Sequence, residues 1–489
     1  MTAFDKHRKR RIICNDDGDQ QRSAGDRAFG YNVHDEQSFL NARTTVTFDS
    51  HVDTYVWCVG NGAHPPYGDA SLVPGVKSAS HANDLIVEKC HARGMEVWAS
   101  LRMNDIHDSR ARGLEHVHDN LKRQHPELLV APEEHRHLPV ELAERSQWTV
   151  FNYARPEVRQ HRLNFIRHNA SAHDFDGYEL DFTRHGFYFP LGRERELAPK
   201  MTDLIRQVRA RLNDIGEKRG RPFTFVVHVN DSVESSLGQG HDVVTWLQEG
   251  LIDVLIVGAG YLPYAVPCSE WVSLGKHYGV PIYPSVNTNT YLPLCRDLPR
   301  RPQAFPEAVR AHAAHYWHEG FEGQYLFNLF CMDEKERAVP PEVAYQVLNQ
   351  IGDPAALAGT SKIYCIQGAQ DSGGNARFGS GPTPLPIALV GQEHRLPLQL
   401  GPDGGDPNAK ITITALANGD ATDRRVWLRL NHRLLPAPTR TDLGFVVQAP
   451  AGFARPGRNE LSIWASDNTA LSDRPIVVYQ VVAHVEYER

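Results

Sequence analysis

The chain has no apolar run approaching the roughly 20 residues that cross a bilayer, and this excludes a helical membrane span. No apolar segment of the signal-peptide kind follows the polar, basic stretch from Met1 to Arg11, so a cytoplasmic location is expected unless a leader has been removed. Positive charge is not in excess either: 52 Lys and Arg against 59 Asp and Glu leave a formal net charge of −7. Such a chain offers a polyanion no attraction, and neither nucleic acid nor membrane is an expected partner. Cysteine is sparse. Cys14, Cys58, Cys90, Cys268, Cys295, Cys331 and Cys365 make an odd number with no CxxC spacing, which argues against a disulfide framework and a thiolate zinc site alike. The 25 histidines are scattered and form no HExxH, so no metal and no other cofactor is expected.

What is present is a regular alternation over the first 350 residues. Short apolar runs fall at 11–15, 54–59, 96–103, 177–182, 223–229, 254–257, 281–286 and 325–330. Runs of this kind mark parallel strands covered on both sides. Helical patterns separate them at 83–93, 156–171, 200–214, 242–249, 270–278, 306–318 and 340–351. Met201, Leu204, Ile205, Val208 and Leu212 stand at the spacing of one helical face. Gly94, Gly250, Gly279 and Gly320 follow such patterns where a left-handed cap belongs. Eight strands alternating with helices predict an α/β fold, a closed (β/α)8 barrel of the TIM type over residues 1–355. An open doubly wound sheet is the rival, but no GxGxxG follows the first strand. Residues 104–155, rich in His, Glu and Pro, form a long connection between the third strand and its helix, expected over the barrel mouth.

From about Gly359 helical periodicity stops. Gly/Pro/Asp-rich turns separate short runs at 396–400, 410–415, 425–430, 444–448, 460–465 and 476–485, and Ile411 and Ile413 alternate with Thr412 and Thr414. Residues 356–489 are therefore expected to form a C-terminal all-β sandwich, a stabilising or interface domain, or more specifically a sugar-binding one.

Active sites of such barrels lie at the C-terminal ends of the strands. On the fourth strand, period-two alternation puts Glu179 and Asp181 on one face and Tyr178, Leu180 and Phe182 on the other. Two ionised acids so placed repel each other, so one should have a raised pKa or a cation beside it, with Arg184 as a candidate. The first strand ends in Asp16 and Asp17. The third presents Trp98, Ser100, Arg102 and Asn104 on one face, with Asp105, His107 and Asp108 opening the long loop. The fifth ends in His228, Asn230 and Asp231, the sixth near Tyr261, the seventh at Asn287 and the eighth at Asn328. Carboxylates, amides, arginine and aromatic rings (Trp57, Tyr261, Tyr264, Tyr291) are what a sugar site requires, because hydroxyls pair with polar groups and C–H faces stack on rings.

A family likeness follows from three segments. FDGYELDFTR (Phe175–Arg184) resembles the fourth-strand DG-x-E-L-D-F-x-R pattern of bacterial glycoside-hydrolase-like proteins related to the family-10-like barrels. FNYARPEVR (Phe151–Arg159) is similar to their lead-in to that strand, and VTWLQEGLID (Val244–Asp253) to the helix before their sixth strand. The likeness spans residues 11–350 and implies a barrel acting on carbohydrate. Family-10 xylanases use glutamates on the fourth and seventh strands; here the seventh, Val280–Asn287, carries no acid.

The resulting expectation is glycosidic cleavage of an oligo- or polysaccharide, with Asp181 as nucleophile or base and Glu179 or Asp231 as general acid. Asp16, Asp17, Trp57, Arg102, Asn104, His107, Arg184, His228, Asn230, Tyr261, Asn287 and Asn328 would hold substrate. Two alternatives stand beside it: a metal-dependent lyase or isomerase using Asp16, Asp17, His107 and Asp181, and a silent carbohydrate-binding protein. Association into homo-oligomers is left open.

Overall fold

The computed structural model describes residues 8–18, 33–60, 78–117, 119–140, 142–258, 266–287, 298, 302–327, 329–330, 339–367, 385–418, 425–466 and 475–488. Tyr261, Tyr264, Tyr291, Cys295, Asn328 and Cys331 lie outside the described residues.

Eight parallel strands close into a barrel in sequence order: β1 Ile12–Asp16, β2 Val52–Gly60, β3 Glu96–Arg102, β4 Gly177–Asp181, β5 Thr224–Val229, β6 Val254–Val257, β7 Ile282–Asn287 and β8 Gln324–Phe327. Closure comes from β1 pairing with both β2 and β8. Each strand starts within two residues of its expected position, and the eighth ends three residues earlier than expected, at Phe327. The helices after β3 and β4, Pro156–Ala172 and Glu194–Arg219, and the later Cys268–Tyr278 and Ala304–Glu319 also match the sequence pattern. Four short helices among the described residues, Glu36–Arg43, Asn120–Gln124, Val233–Gly238 and Pro354–Leu357, were not expected. The pattern at 340–351 resolves into a helical turn, Pro341–Ala344, followed by a 3-10 segment, Tyr345–Asn349.

The barrel interior is filled in layers. Ile13, Val56, Trp98, Val226, Val254, Ile256, Tyr283, Tyr325 and Phe327 form one inner apolar cluster. Gly177 makes room for it: a Cβ there would stand 2.5 Å from Cδ1 of Trp98. Outward side chains such as Tyr55, Trp57, Tyr178, Leu180 and Phe182 pack against the helices in the main core. The long segment after β3 holds 3-10 turns, one helix, Asn120–Gln124, and a single bridge between Leu129 and Phe151.

The C-terminal part is a sandwich. One sheet runs β10 (Ile387–Ala388), β18 (Val477–Tyr487), β12 (Ala409–Asn418), β16 (Gly444–Ala449), β15 (Thr439–Thr441), with β9 (Lys362–Gln367) also on β18. The other runs β11 (His394–Leu400), β17 (Gly457–Ala465), β13 (Val426–Leu430), β14 (Arg433–Leu434). Leu396, Leu398, Leu428, Leu430, Leu461 and Ile463 of the second face Ile411, Ile413, Val447 and Val481 of the first. Strands β9, β10, β14 and β15 were not expected from sequence.

The two parts are packed together. Helix Ala304–Glu319 lies on β9, and Arg310 Nε donates to the Ser361 carbonyl at 3.0 Å. Ile363, Leu416 and Val482 of the sandwich belong to the same apolar cluster as the barrel helices. Asp403 ties the sandwich's first and last strands, accepting from Lys362 Nζ at 2.8 Å, the Tyr364 hydroxyl at 2.5 Å and the Tyr487 hydroxyl at 2.6 Å.

Candidate active site

Strand β4 sets the site. Its register pairs Ser100 with Glu179 and Arg102 with Asp181 on one side, and Asp181 with His228 on the other. Inward positions Gly177, Glu179 and Asp181 thus climb the interior from the Trp98 layer to the upper rim.

Glu179 is completely buried. Its Oε2 accepts from the Tyr325 hydroxyl at 3.2 Å, while Oε1 has no hydrogen-bond partner. Burial and then the charge of Asp181 push its carboxyl up to about 8, and hydrogen bonds from Ser100 and Tyr325 offset only part of this. Glu179 is therefore protonated at neutral pH.

Asp181 sits one layer higher. Its Oδ1 accepts from the Thr183 N–H at 2.7 Å, the Thr183 hydroxyl at 2.9 Å and the Arg184 N–H at 3.2 Å. This is an Asx-type turn, in which the carboxylate organises the chain leaving the strand and is fixed by it.

His228 lies beside both acids. Its Nε2 is 3.0 Å from the Gly258 carbonyl, an arrangement that assigns the ring proton to Nε2. Nδ1 then presents a lone pair 3.9 Å from Glu179 Oε1 and 3.9 Å from Asp181 Oδ1. Burial lowers its pKa, against the opposing pull of Asp181 and Gly258, so the ring is neutral. Its ring packs on Tyr325 at 4.9 Å and edge-on to Phe327 at 5.9 Å.

Around this stack runs a chain of ion pairs. Arg102 reaches Asp17 at 2.7 Å and Asp105 at 3.0 Å; Arg184 stands 3.9 Å from Asp17 and 3.4 Å from His107 Nε2. Asp105 Oδ1 accepts from His107 Nδ1 at 2.5 Å. Burial would raise the Asp17 carboxyl, but Arg102 and Arg184 overcome it and bring it to about 2. Asp105 is likewise held well below the carboxylate range against its burial, with His107 the strongest opposing cause. The His107 side chain is 58% exposed, so an Asp-oriented imidazole faces solvent at the mouth.

Asp105, His107 and His185 place ligand-type atoms within 4.8 Å of one another, a spacing that suits a cation. These atoms already have partners. The two Asp105 oxygens take Arg102 and His107, and His185 Nδ1 accepts from the Ile106 N–H at 3.3 Å. Holding an ion there would mean exchanging these bonds for coordination, next to two guanidinium groups.

The structure thus brings together Asp17, Arg102, His107, Glu179, Asp181, Arg184 and His228. Others take different places. Asp16 points outward, its Oδ1 on Arg43 at 2.8 Å and its Oδ2 on the Tyr55 hydroxyl at 2.5 Å, a buried brace behind β1. Trp57 also points outward, its Nε1 donating to Asn83 at 2.8 Å. Asn104 is wholly buried and fastens the long loop through Phe151 and the Phe187 carbonyl. Asp231 falls on the outward phase, where Oδ1 accepts from Ser235 at 2.7 Å and its N–H is bonded by Asn230 Oδ1 at 2.9 Å. Asn287 is buried at the upper end of β7, in register with Phe327. Tyr261 and Asn328 are outside the described residues.

Sequence reasoning passed over Tyr325 and Thr183. Tyr325 stands at an inward strand position, where nothing in the local sequence distinguishes a hydrogen-bonding ring from a packing one. Thr183, two residues after Asp181, carries the Asx-turn spacing that would have flagged it.

No protein-family model matches the chain, and no curated protein matches it in sequence. Solved structures align at low similarity. An alpha-amylase from Geobacillus thermoleovorans in complex with acarbose is 12% identical, with 93% of this chain and 98% of that one covered and a TM-score of 0.42. Chitinase ChiA74 from Bacillus thuringiensis is 10% identical, with 96% and 100% covered and a TM-score of 0.40. The GH36 alpha-galactosidase AgaA from Geobacillus stearothermophilus is 12% identical, with 94% of this chain covering 56% of that one and a TM-score of 0.39. At these values the likeness carries no activity across, and function has to be argued from the site.

Proposed function

We propose that the protein is a glycoside hydrolase that cleaves an oligo- or polysaccharide at the upper end of its barrel, with Asp181 as the reacting carboxylate. The observation that supports this most is the contrast between two acids on one strand. Glu179 is enclosed and protonated, while Asp181 stands above it with one oxygen fixed by three donors. A neutral Glu179 leaves a single negative charge in the stack, beside a neutral His228, where positive charge develops on a sugar ring as its glycosidic bond breaks.

Glycosidic cleavage also needs a proton for the departing oxygen. Glu179 is sealed and Asp231 is bonded to Ser235, so neither is favoured for this role. We assign it to His107, exposed at the mouth and oriented by Asp105. In the reaction His107 acts with a proton on each ring nitrogen: Asp105 holds the Nδ1 side, and Nε2, turned from Arg184 to the substrate, passes its proton to the leaving oxygen as the bond from the anomeric carbon breaks, which leaves the ring neutral. Asp181 forms the new bond to carbon and is then displaced by a water that gives its proton to Nε2, or else Asp181 takes the proton of a water that forms the bond directly. Arg102 and Arg184 hold the rim in shape, and Asn230 and Asn287 supply amides for hydroxyl groups. Residues 1–355 form the catalytic part in this reading and 356–489 the accessory part. Substitution Asp181→Asn should cut turnover of aryl glycosides by about 10²–10⁴-fold while the chain still folds; full turnover removes the assignment.

The Asp105–His107–His185 cluster favours a second reading, a metal-dependent lyase or isomerase on the same barrel. Dialysis against a chelator decides between them. Loss of activity that zinc or manganese restores supports the metal-dependent enzyme, and unchanged activity supports the hydrolase. Sugar binding without product over a long incubation would reduce the barrel to a binding protein.

A further inference from the structure

Two imidazoles meet beside the ion pairs of the rim. The rings of His107 and His185 stand edge to face, 5.0 Å between centres, and one donor atom of each lies with an Asp105 oxygen inside a 4.8 Å span. Two imidazoles and a carboxylate are ligands of the kind that zinc takes, whereas magnesium and calcium prefer oxygen alone. The rim as a whole does not repel a cation. Asp17, Asp105 and Asp181 set three carboxylates against the two guanidinium groups of Arg102 and Arg184.

The bonds that an ion must displace are ones the cluster can give up. His185 Nδ1 accepts from the Ile106 N–H at 3.3 Å, longer than an ordinary hydrogen bond. His107 is 58% exposed, and its Nδ1 and Asp105 Oδ1, now 2.5 Å apart, have only to open to roughly 3 Å to touch one ion together. Asp105 keeps its other oxygen on Arg102 at 3.0 Å, so the carboxylate stays in place while Oδ1 changes partner. The same guanidinium draws charge from it, which weakens its hold on an ion and makes binding reversible. Such an ion would silence the acid. His107 protonates the leaving oxygen only while both ring nitrogens carry a proton. An ion on Nδ1 replaces one of them, the displaced proton passing to solvent. The N–H left on Nε2 is then that of a neutral ring, far too weak an acid to protonate a leaving group.

We propose that Asp105, His107 and His185 form an inhibitory site for zinc, which switches off glycosidic cleavage by capturing the imidazole of His107. The inhibition rests on the hydrolase reading; the ion site itself does not. The test is calorimetric titration of the full chain, dialysed against a chelator, with zinc chloride and with magnesium chloride as control, alongside turnover of aryl glycosides. One zinc ion per chain should bind and magnesium should not. His185→Gln and Asp105→Asn should each weaken zinc binding at least about tenfold. Zinc should slow glycosides of poor leaving groups at least about tenfold more than dinitrophenyl glycosides, which need no acid, and EDTA should restore the rate. No binding, or binding that neither variant weakens, overturns the proposal. Zinc held by this cluster while turnover is unaltered, or slowed equally across leaving groups, overturns the inhibition. A chain that chelation inactivates and zinc restores overturns it in favour of the metal-dependent enzyme. A metal-free chain without any glycosidase activity removes the hydrolase reading and the inhibition with it, while the titration still decides the ion site.

Discussion

Tyr325 on the last barrel strand donates its hydroxyl to Glu179 on the fourth, 3.2 Å across the barrel interior. The bond joins opposite walls and leaves the second Glu179 oxygen without a partner, 3.9 Å from the imidazole of His228. A neutral carboxyl is thereby stored beneath Asp181, and the pH dependence of the protein should report it.

The Glu179 carboxyl titrates near 8 in the folded chain, above its ordinary value of 4.5. Between those two values the folded state binds more protons than the unfolded one, so stability falls as pH rises through this window. The slope is at most about 1.4 kcal/mol per pH unit. Thermal melts from pH 5 to pH 9 should show this decline, and Glu179→Gln should flatten it. An unaltered slope in the variant would mean that Glu179 ionises like any surface acid.

Asp181→Asn keeps the shape of the side chain and removes its charge. Turnover should fall by about 10²–10⁴-fold, and the raised pKa of Glu179 should relax downward, because Asp181 is the second cause of that shift. Parallel activity and pH-melt measurements on one preparation check both effects.

Leaving-group dependence tests the role given to His107. With His107→Asn, glycosides of poor leaving groups should slow by about 10²–10⁴-fold, while dinitrophenyl glycosides, whose phenolate departs unaided, should be nearly unaffected. Uniform slowing across the series would show that His107 only shapes the rim.

Arg102 is the shared cation of Asp17 and Asp105, and all three side chains are under 10% exposed. Arg102→Met leaves two buried carboxylates short of a partner and should cost about 3–5 kcal/mol in chemical denaturation. Gly177→Ala should also destabilise, by about 1–3 kcal/mol, since its new methyl meets the Trp98 ring.

Much of this was readable from the chain itself. Parallel strands buried on both faces leave continuous apolar runs, and β1 to β8 were placed by them. The inward pair Glu179 and Asp181 followed from period-two alternation alone. Alternation says less just beyond a strand's end. Asp16, one residue from Asp17, turned out to brace Arg43 and Tyr55, and Asp231 lies one position out of phase with Asn230. Asn104 looks like a substrate ligand by phase, yet its amide is consumed by backbone groups of the long loop. The sandwich strands β10, β14 and β15 have two or three residues each, too few for a pattern, whereas β9, KIYCIQ at Lys362–Gln367, is long enough to have been legible. The raised Glu179 carboxyl comes first from its burial, then from the charges of Asp181 and Asp17, and that enclosure exists only once the barrel closes strands far apart in sequence.

The interlock of helix Ala304–Glu319 with β9 bears on how the molecule can be dissected. Its apolar side, including Ala308 and Ala311, is roofed by residues that come after position 360. A gene fragment stopped at 355 would carry that side as a raw scar, and its product should collect in inclusion bodies. The intact chain should melt in one cooperative step, so the sandwich is a structural member of the molecule and not a removable passenger.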